Sequence, residues 1–600
     1  MNSVCGGKGT CGKCRVIVGG KVDSDRTPAI SDGEWGAGVR LACRSIVVED
    51  VVVTIPEEAQ VAAYQILTTH PVTEVTDLSP LCTAHYLELP HPTLEDNIGD
   101  LERLGRGLGL RHGELVGSLL SLKSLPLVLR AADWKVTAFI DQTRKPRVLL
   151  GTDGGDRTDR NFGIALDIGT TTVVMTLVRL SDGKTVAQAS AYNRQIACGE
   201  DVLSRIAFAE EGGLERLNVL VLETIDVLIS DVCANSAASL GVGQEAERED
   251  MTCVSIAGNT TMIHLLLRLD PRSIRYEPYI PIVNVPPVLR SEEVGIRINP
   301  QAPVYCMPGR SGYVGGDITA DVIAAGMHKS SDLSLLIDVG TNGEVVLGHK
   351  DWMVSCSCSA GPAFEGGEVA AGMRAMEGAI ERVRILGADD VAYSTIGGKR
   401  PRGICGSGLI DLLAEMFLRD IVDKKGRIME SSSKRARRGE DGMEFVVVPA
   451  SERAGGSGPL RRDIVVTDND IANIIRTKGA VYAACSVLLK SLKLDFSDVR
   501  QVHVAGGFGN YIDTERAIVI GLLPDVPFDR FNFIGNGALA GARLALLSEG
   551  SRAEARSVYE SMTYFELSTT QLFFEEFSSA LFLPHTDIER FPTVRRLLDE

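Results

Sequence analysis

The chain has 600 residues, of which 79 are acidic and 62 basic, for a formal net charge of −17; 44% are apolar and the mean hydropathy is +0.08. That length implies several domains with sizeable cores, and the acidic balance, relieved only by the short KRARR at 434–438, speaks against nucleic acid as a partner. Apolar runs such as LNVLVLETIDVLIS are broken by charge well short of a membrane span and no secretory leader fits before Cys5, so the expected location is cytoplasmic, with no membrane partner.

The first element is a cysteine array. Cys5, Cys11 and Cys14 form Cys-x5-Cys-x2-Cys, and Cys43 follows a strand-like RVIVGGKV and a short loop. Four thiolates suffice for one metal site, and Gly6, Gly7, Gly9 and Gly12 let the backbone fold tightly around it. Plant-type [2Fe-2S] loops run Cys-x4-Cys-x2-Cys with a distant fourth cysteine, so this array differs by one residue in the first gap. The alternative is a zinc site, whose usual signature pairs two Cys-x2-Cys elements, and only one stands here. The loop CGGKGTCGKC with the later RLACRS resembles the [2Fe-2S] domain of adrenodoxin-like ferredoxins. That resemblance implies a β-grasp fold for 1–60 and Cys5, Cys11, Cys14 and Cys43 as cluster ligands. In those domains a hairpin and a helix precede the cluster loop. An incomplete β-grasp domain is therefore expected, short by on the order of 30 residues, through a late start site or a truncated product.

VVVTIPEEA closes this domain near 60, and 61–95 reads as a linker. TLEDNIGDLERLGRGLG then reads as a helix with Thr93 as its cap, and LPLVLRAADWKVTAFID as a helix or loop running into a strand. Residues 96–160 thus read as a small middle domain and linker, whose fold the pattern does not name. It ends in the glycine- and charge-rich GTDGGDRTDR at 151–160.

Beyond it, FGIALDIGTTTVVM at 162–175 and LLIDVGTNGEVVL at 335–347 repeat one device about 170 positions apart: apolar strand, Asp-x-Gly-Thr, second β-branched strand. One such motif alone reads as an ordinary β-turn; two imply an internal duplication. A tight turn of Gly and Thr offers N–H and hydroxyl groups to phosphate oxygens, while Asp167 and Asp338 at the strand ends can hold Mg²⁺ through water. VGGDITADVIAAGM reads as a helix with a face of small residues, QVHVAGGFGNYID as a strand ending in a Gly-Gly turn, and NFIGNGALAGARLAL as another small-faced helix.

Phosphate loop, connecting helix, phosphate loop, Gly-Gly loop and connecting helix is the order of the sugar kinase, Hsp70 and actin clan, which residues 161–600 resemble. The fold expected is thus a multidomain α/β chain whose C-terminal part is a duplicated, RNase H-like ATPase of two lobes. The resemblance implies a first phosphate loop of Gly169, Thr170, Thr171 and Thr172 with Asp167, and a second of Gly340, Thr341 and Asn342 with Asp338. It implies Gly506 and Gly507 beside the adenosine of an ATP carried with Mg²⁺.

A ferredoxin domain joined to such an ATPase resembles the reductive activators of corrinoid proteins. DVLSRI at 201–206, AGNTTMIHLLL at 257–267, SCSCSAGPAFEGG at 355–367 and GICGSGLIDLL at 403–413 also look like that family. The resemblance implies an ATP-dependent electron transfer from a [2Fe-2S] cluster to Co(II), restoring Co(I) for methyl transfer. It also implies a corrinoid protein of a methyltransferase system as partner, an upstream electron donor, and a homodimer. Two other readings stand beside it: a small-molecule kinase of the clan, with Asp317 as a candidate base, and an actin-like scaffold with a structural metal domain. Neither uses a redox cluster. Cys82, Cys198, Cys233, Cys253, Cys306, Cys405 and Cys485 read as buried free thiols, and Cys356 and Cys358 as packing residues on opposite faces of a strand.

Overall fold

Long runs of β-branched and other apolar residues, such as TVVMTLVR and SLLIDV, build strands covered on both faces, and two six-stranded sheets of this kind form the body of the C-terminal part. The computed structural model describes every residue except 1–8, 10, 11, 13, 57–76, 341, 388, 440, 441, 454–461, 507–511 and 600.

In the first sheet, Phe162–Ile168, Thr172–Arg179 and Thr185–Tyr192 run antiparallel in sequence, and Met251–Gly258 and Pro303–Cys306 add in parallel on the far side of Phe162–Ile168. In the second sheet, Ser334–Val339, Gly343–His349 and Trp352–Cys358 repeat the antiparallel trio, and Gln501–Ala505 and Phe531–Gly535 repeat the parallel pair. The duplication therefore extends from the motif to the topology. Helix Leu214–Asn235 covers the first sheet and the 24-residue helix Asp468–Ser491 the second. The second lobe also carries two three-stranded sheets, one of which holds Ala379–Gly387 and Gly403–Ile404 and leads into helix Gly406–Leu418.

The two small-faced helices, Gly316–Ala325 and Gly537–Leu547, pack against each other between the sheets. Only small residues permit the approach: a methyl group added at Gly541 would stand 2.4 Å from the Ala320 carbonyl oxygen. This contact joins the lobes at their middle.

Residues 82–154 form a four-stranded sheet of Cys82–Glu88, Lys135–Asp141, Arg147–Gly154 and Leu115–Gly117, with helices Asp100–Gly107 and Leu119–Ala131. Strand Cys82–Glu88 falls in the span read as linker. Its alternation is weak, and its partner Lys135–Asp141 lies some fifty residues on, so no local pattern marks it. The helix begins at Asp100 with Gly99 as its N-cap, not near Thr93. Asp96, between the two, is held by the Arg103 and Arg106 guanidiniums at 2.5 and 2.6 Å, and Thr93 instead accepts the Asp96 N–H. Ser79 and Leu81 donate their N–H groups to the carbonyls of Leu547 and Leu546, which fastens this sheet to the end of a lobe-joining helix.

Near the N-terminus, Arg15–Gly19 pairs with Val39–Leu41 and Val52–Thr54. This unit touches the second lobe where Arg462 meets the buried Glu34 carboxylate at 2.9 Å. Cys82, Cys253, Cys306, Cys405 and Cys485 are buried thiols, and Cys198 and Cys233 are partly buried. Cys356 and Cys358, two apart on one strand, share a face rather than opposing each other, and both lie in the core of the second lobe. No helix among the described residues is long and apolar enough to cross a membrane.

Candidate functional site

The cleft between the lobes is floored by the two repeated turns. Asp167 ends a strand between Val174 on one side and Ala257 on the other; Asp338 ends its counterpart between Glu344 and Ala505. Each turn closes by a backbone bond of 3.0 Å, Gly169 N–H to Thr172 C=O and Gly340 N–H to Asn342 C=O, so the second turn is one residue shorter. Asp167, Gly169, Thr170, Thr171, Thr172, Asp338, Gly340, Asn342 and Gly506 all line this one cleft. Thr341 and Gly507 lie outside the described residues. Gly506 takes φ +107°, and a Cβ there would stand 2.5 Å from the Val339 carbonyl oxygen, so no other residue fits beside the second turn.

A second repeat escaped the sequence reading. Strands Met251–Gly258 and Phe531–Gly535 are each followed by an asparagine, Asn259 and Asn536, and both use one side chain twice. The Oδ1 atoms accept the N–H of Met262 and Leu539 and so cap the following helices. The Nδ2 atoms donate into the cleft, Asn259 to Thr170 Oγ1 at 3.1 Å and Asn536 to Asp167 Oδ2 at 2.8 Å. The Gly-Asn pair after each strand, AGN and IGN, is the signal that marks them. Beneath the first turn the buried Arg205 holds the Thr170 carbonyl and the Gln195 side chain, and burial pulls its guanidinium down to about 9.

The cleft is acidic. Asp167, Asp317, Asp321, Asp338, Glu344, Glu365 and Glu381 line it, and Arg374 is the one cationic side chain among its described lining residues. Burial, reinforced by neighbouring carboxylates, pushes Asp167 and Asp338 up to about 7 and raises Asp321 and Glu344 well above the carboxylate range, and burial pushes Asp317 to about 6. Asp321 Oδ2 is buried and finds no amide or hydroxyl donor; its neighbour is the Asp338 carboxyl, with which it can share a proton. Carboxylates held this far from their ordinary range, beside N–H groups exposed in two tight turns, suit a divalent cation carrying a polyphosphate. No group of three or more Asp, Glu, His or Cys among the described residues is arranged to ligate a metal directly.

Two contacts span the lobes across the mouth. Thr171 Oγ1 donates to Glu365 Oε2 at 3.0 Å, and the Arg374 guanidinium lies over the Tyr192 ring at 4.4 Å. Asp317, the candidate base of a kinase, sits at the start of helix Gly316–Ala325 with its Oδ1 accepting the Ile318 N–H.

Of the four array cysteines, Cys5 and Cys11 lie outside the described residues. The Sγ atoms of Cys14 and Cys43 are 3.3 Å apart, far beyond the ~2.05 Å of a disulfide and close to the ~3.8 Å expected for two thiolates ~2.3 Å from one tetrahedral metal. Arg15 donates to the carbonyls of Gly12 and Ala29, and Gly9 and Gly12 take positive φ, so the described part of the loop curls around the two thiols. This donor set fits an iron–sulfur cluster.

Comparison with known proteins matches three stretches of the chain to one family. Residues 72–159 match the RACo linker region, 162–330 the RACo middle region, and 332–595 the C-terminal domain of RACo, described as its ASKHA domain. The chain is 31% identical over 589 residues to the corrinoid activation enzyme RamQ of Eubacterium limosum, covering 96% of this chain and 93% of RamQ. It is 25% identical over 447 residues to a [Co(II) methylated amine-specific corrinoid protein] reductase of Methanosarcina barkeri, covering 69% of this chain and 75% of that protein. A solved structure titled reductive activator for corrinoid, iron-sulfur protein superposes with a TM-score of 0.80 at 43% identity, covering 99% of this chain and 95% of that one.

Proposed function

Because the chain belongs to the RACo family of reductive activators, we propose that it spends ATP to return a corrinoid protein of a methyltransferase system from Co(II) to Co(I) by one electron. The observation that carries this reading is the joining, in one chain, of a two-lobed cleft with duplicated phosphate turns to a cysteine loop whose described thiols fit a cluster. In it, residues 1–60 carry the electron, 61–160 form the linker with its small four-stranded domain, and 161–600, which hold the matched middle and C-terminal regions, the ATPase. An upstream donor reloads the cysteine domain, and the chain works as a cytoplasmic homodimer.

A [2Fe-2S] cluster of plant-ferredoxin type, when bound, supplies a one-electron donor near about −400 mV. Cys5, Cys11, Cys14 and Cys43 would hold it, with Arg15 fixing the loop through Gly12 and Ala29. Reduction of Co(II) is a low-potential step, and each 100 mV of shortfall costs about 2.3 kcal/mol per electron. The chain must therefore couple transfer to another favourable event. Asp167 and Asp338 orient Mg²⁺-ATP from the two strand ends, and Gly506 admits the adenosine side beside the second turn, with Gly507. Burial holds Asp167 near 7 against the opposing hydrogen bond from Asn536, so that this carboxyl can exchange a proton with the attacking water near neutral pH. ATP entering the cleft must rearrange the Thr171–Glu365 bond, which ties nucleotide occupancy to lobe position. A grip on the corrinoid protein that tightens with ATP must equally tighten the hold on ATP.

The test is the Co(I) absorption band with a Co(II) corrinoid protein and a chemical reductant. Reductant alone should reduce the cluster; Co(I) should accumulate only when Mg²⁺ and ATP are added. A Cys11→Ser variant should hydrolyse ATP and reduce nothing. Co(I) formed at equal rate and extent without nucleotide overturns the proposal.

A further inference from the structure

We infer that Arg374 is the cationic contact for the phosphate chain of the nucleotide, presented from the second lobe and steadied by the Tyr192 ring of the first. The inference deepens the ATP reading and rests on it. Three observations carry it. The first is charge: the described lining holds seven carboxylates and a single cation, Arg374. A polyphosphate whose charge Mg²⁺ only partly neutralises, bound among carboxylates, needs a permanent positive group, and arginine keeps its proton in any protein setting. The second is an unmet donor. Arg374 Nη1 is shielded from solvent and has no hydrogen-bond partner among the described residues, whereas buried guanidinium N–H groups ordinarily find one. The third is position. The guanidinium carbon lies over the Tyr192 ring, 4.4 Å from its centroid, a cation–π contact that holds the fork at the mouth and uses none of its N–H groups.

The neighbours point the same way. Ala375, next to Arg374, lines the cleft, as do Cys405, Gly406 and Ser407 at the start of helix Gly406–Leu418, and so does the Thr170 turn of the opposite lobe. Tyr192 ends the strand Thr185–Tyr192, whose register pairs it with Thr172 of the first phosphate turn. A guanidinium stacked on Tyr192 is thus one strand away from that turn, while its backbone belongs to the other lobe. It can meet phosphate oxygens only when the lobes stand close, so the contact reports nucleotide occupancy as closure.

The experiment uses the full chain and three probes: a non-hydrolysable ATP analogue with Mg²⁺, ADP with Mg²⁺, and adenosine, each titrated calorimetrically, with ATP hydrolysis followed in parallel. Arg374→Ala should weaken the ATP analogue by about tenfold to a hundredfold, the loss typical of a charge-assisted hydrogen bond, and leave adenosine binding as in the native chain. Arg374→Lys, which keeps the charge and loses the fork, should fall between and guards against a misfolded alanine variant. Tyr192→Ala, which removes the ring and no charge, should weaken the analogue by about threefold to tenfold. Added guanidinium ion should restore part of the hydrolysis lost in Arg374→Ala. Native analogue affinity in Arg374→Ala, or equal losses for the analogue and adenosine, overturns this inference and leaves the ATP reading standing. A native chain that binds none of the three probes overturns both.

Discussion

Replacing Asp338 by Asn should make the nucleotide-free protein more stable at pH 8 while abolishing its ATP hydrolysis. Burial, then the charges of Asp317, Asp167 and Glu365, raises the Asp338 carboxyl from its ordinary 3.8 to about 7. An acid raised in the folded state stabilises the fold fully below its unfolded value near 3.8, and loses that contribution as pH rises through about 7. At pH 8 the folded chain therefore carries an unwelcome charge. Three pH units correspond to a ceiling of about 4 kcal/mol. One face of Asp338 opens to the cleft, and its carboxyl pairs with that of Asp321, so the gain from a neutral isostere should be about 1–3 kcal/mol. At pH 5 the folded carboxyl is protonated while the unfolded one is still ionised, so the gain should shrink to about two fifths of its pH 8 value. The assay is the unfolding midpoint of native and Asp338→Asn chains at pH 5 and pH 8, taken on the transition that Mg²⁺-ATP raises in the native protein. The same nucleotide should leave the variant's midpoint nearly unmoved. A variant less stable than native at pH 8, or a difference equal at both pH values, refutes the view that this cleft is built around unpaired negative charge.

Asp167→Ala should lower ATP hydrolysis by about a hundredfold or more and leave the spectrum of the cysteine domain intact; native turnover would reduce the two turns to ordinary hairpin loops. Cys14→Ser or Cys43→Ser should abolish or strongly perturb a single two-iron centre, read by iron analysis and EPR after anaerobic reconstitution, and zinc in place of iron would contradict the cluster reading. Mg²⁺-ATP affinity should rise from pH 5.5 to 8 with release of protons, since Asp167 and Asp338 near 7 must ionise to meet the cation; a flat profile with no proton release contradicts it. Gly541→Val should cost about 1–3 kcal/mol, because the nearest atoms are the Ala320 backbone, which cannot step aside; native stability would mean that the lobe-joining helices separate freely.

The duplication was legible because each turn is encoded within about a dozen residues: an apolar strand, an Asp at its end, Gly and Thr to turn, and a β-branched strand back. The lobe-joining helices were legible too, since a face of Gly and Ala has little use other than close approach. Helix Asp100–Gly107 was misplaced at its start because Asp96 spends its carboxylate on Arg103 and Arg106, a choice made by residues seven and ten positions downstream. Strand Cys82–Glu88 was missed because its partner, not its own alternation, makes it a strand.

The sequence by itself determined which residues could meet a phosphate and which thiols could meet iron, since those chemistries depend on residue types at short spacings that local backbone geometry fixes. Tertiary structure alone decided that Asp321 from a lobe-joining helix and Glu344 from the second sheet converge with Asp167, Asp317 and Asp338. It decided likewise that Asn259 and Asn536 cap one element and serve the cleft, and that Arg374 faces Tyr192 across the mouth. The physical reason is range. A turn is settled by neighbours in the chain, whereas the raised carboxyls and the lone cation of the cleft lie from a few to about 200 residues apart in sequence and become neighbours only when two lobes close one volume from water.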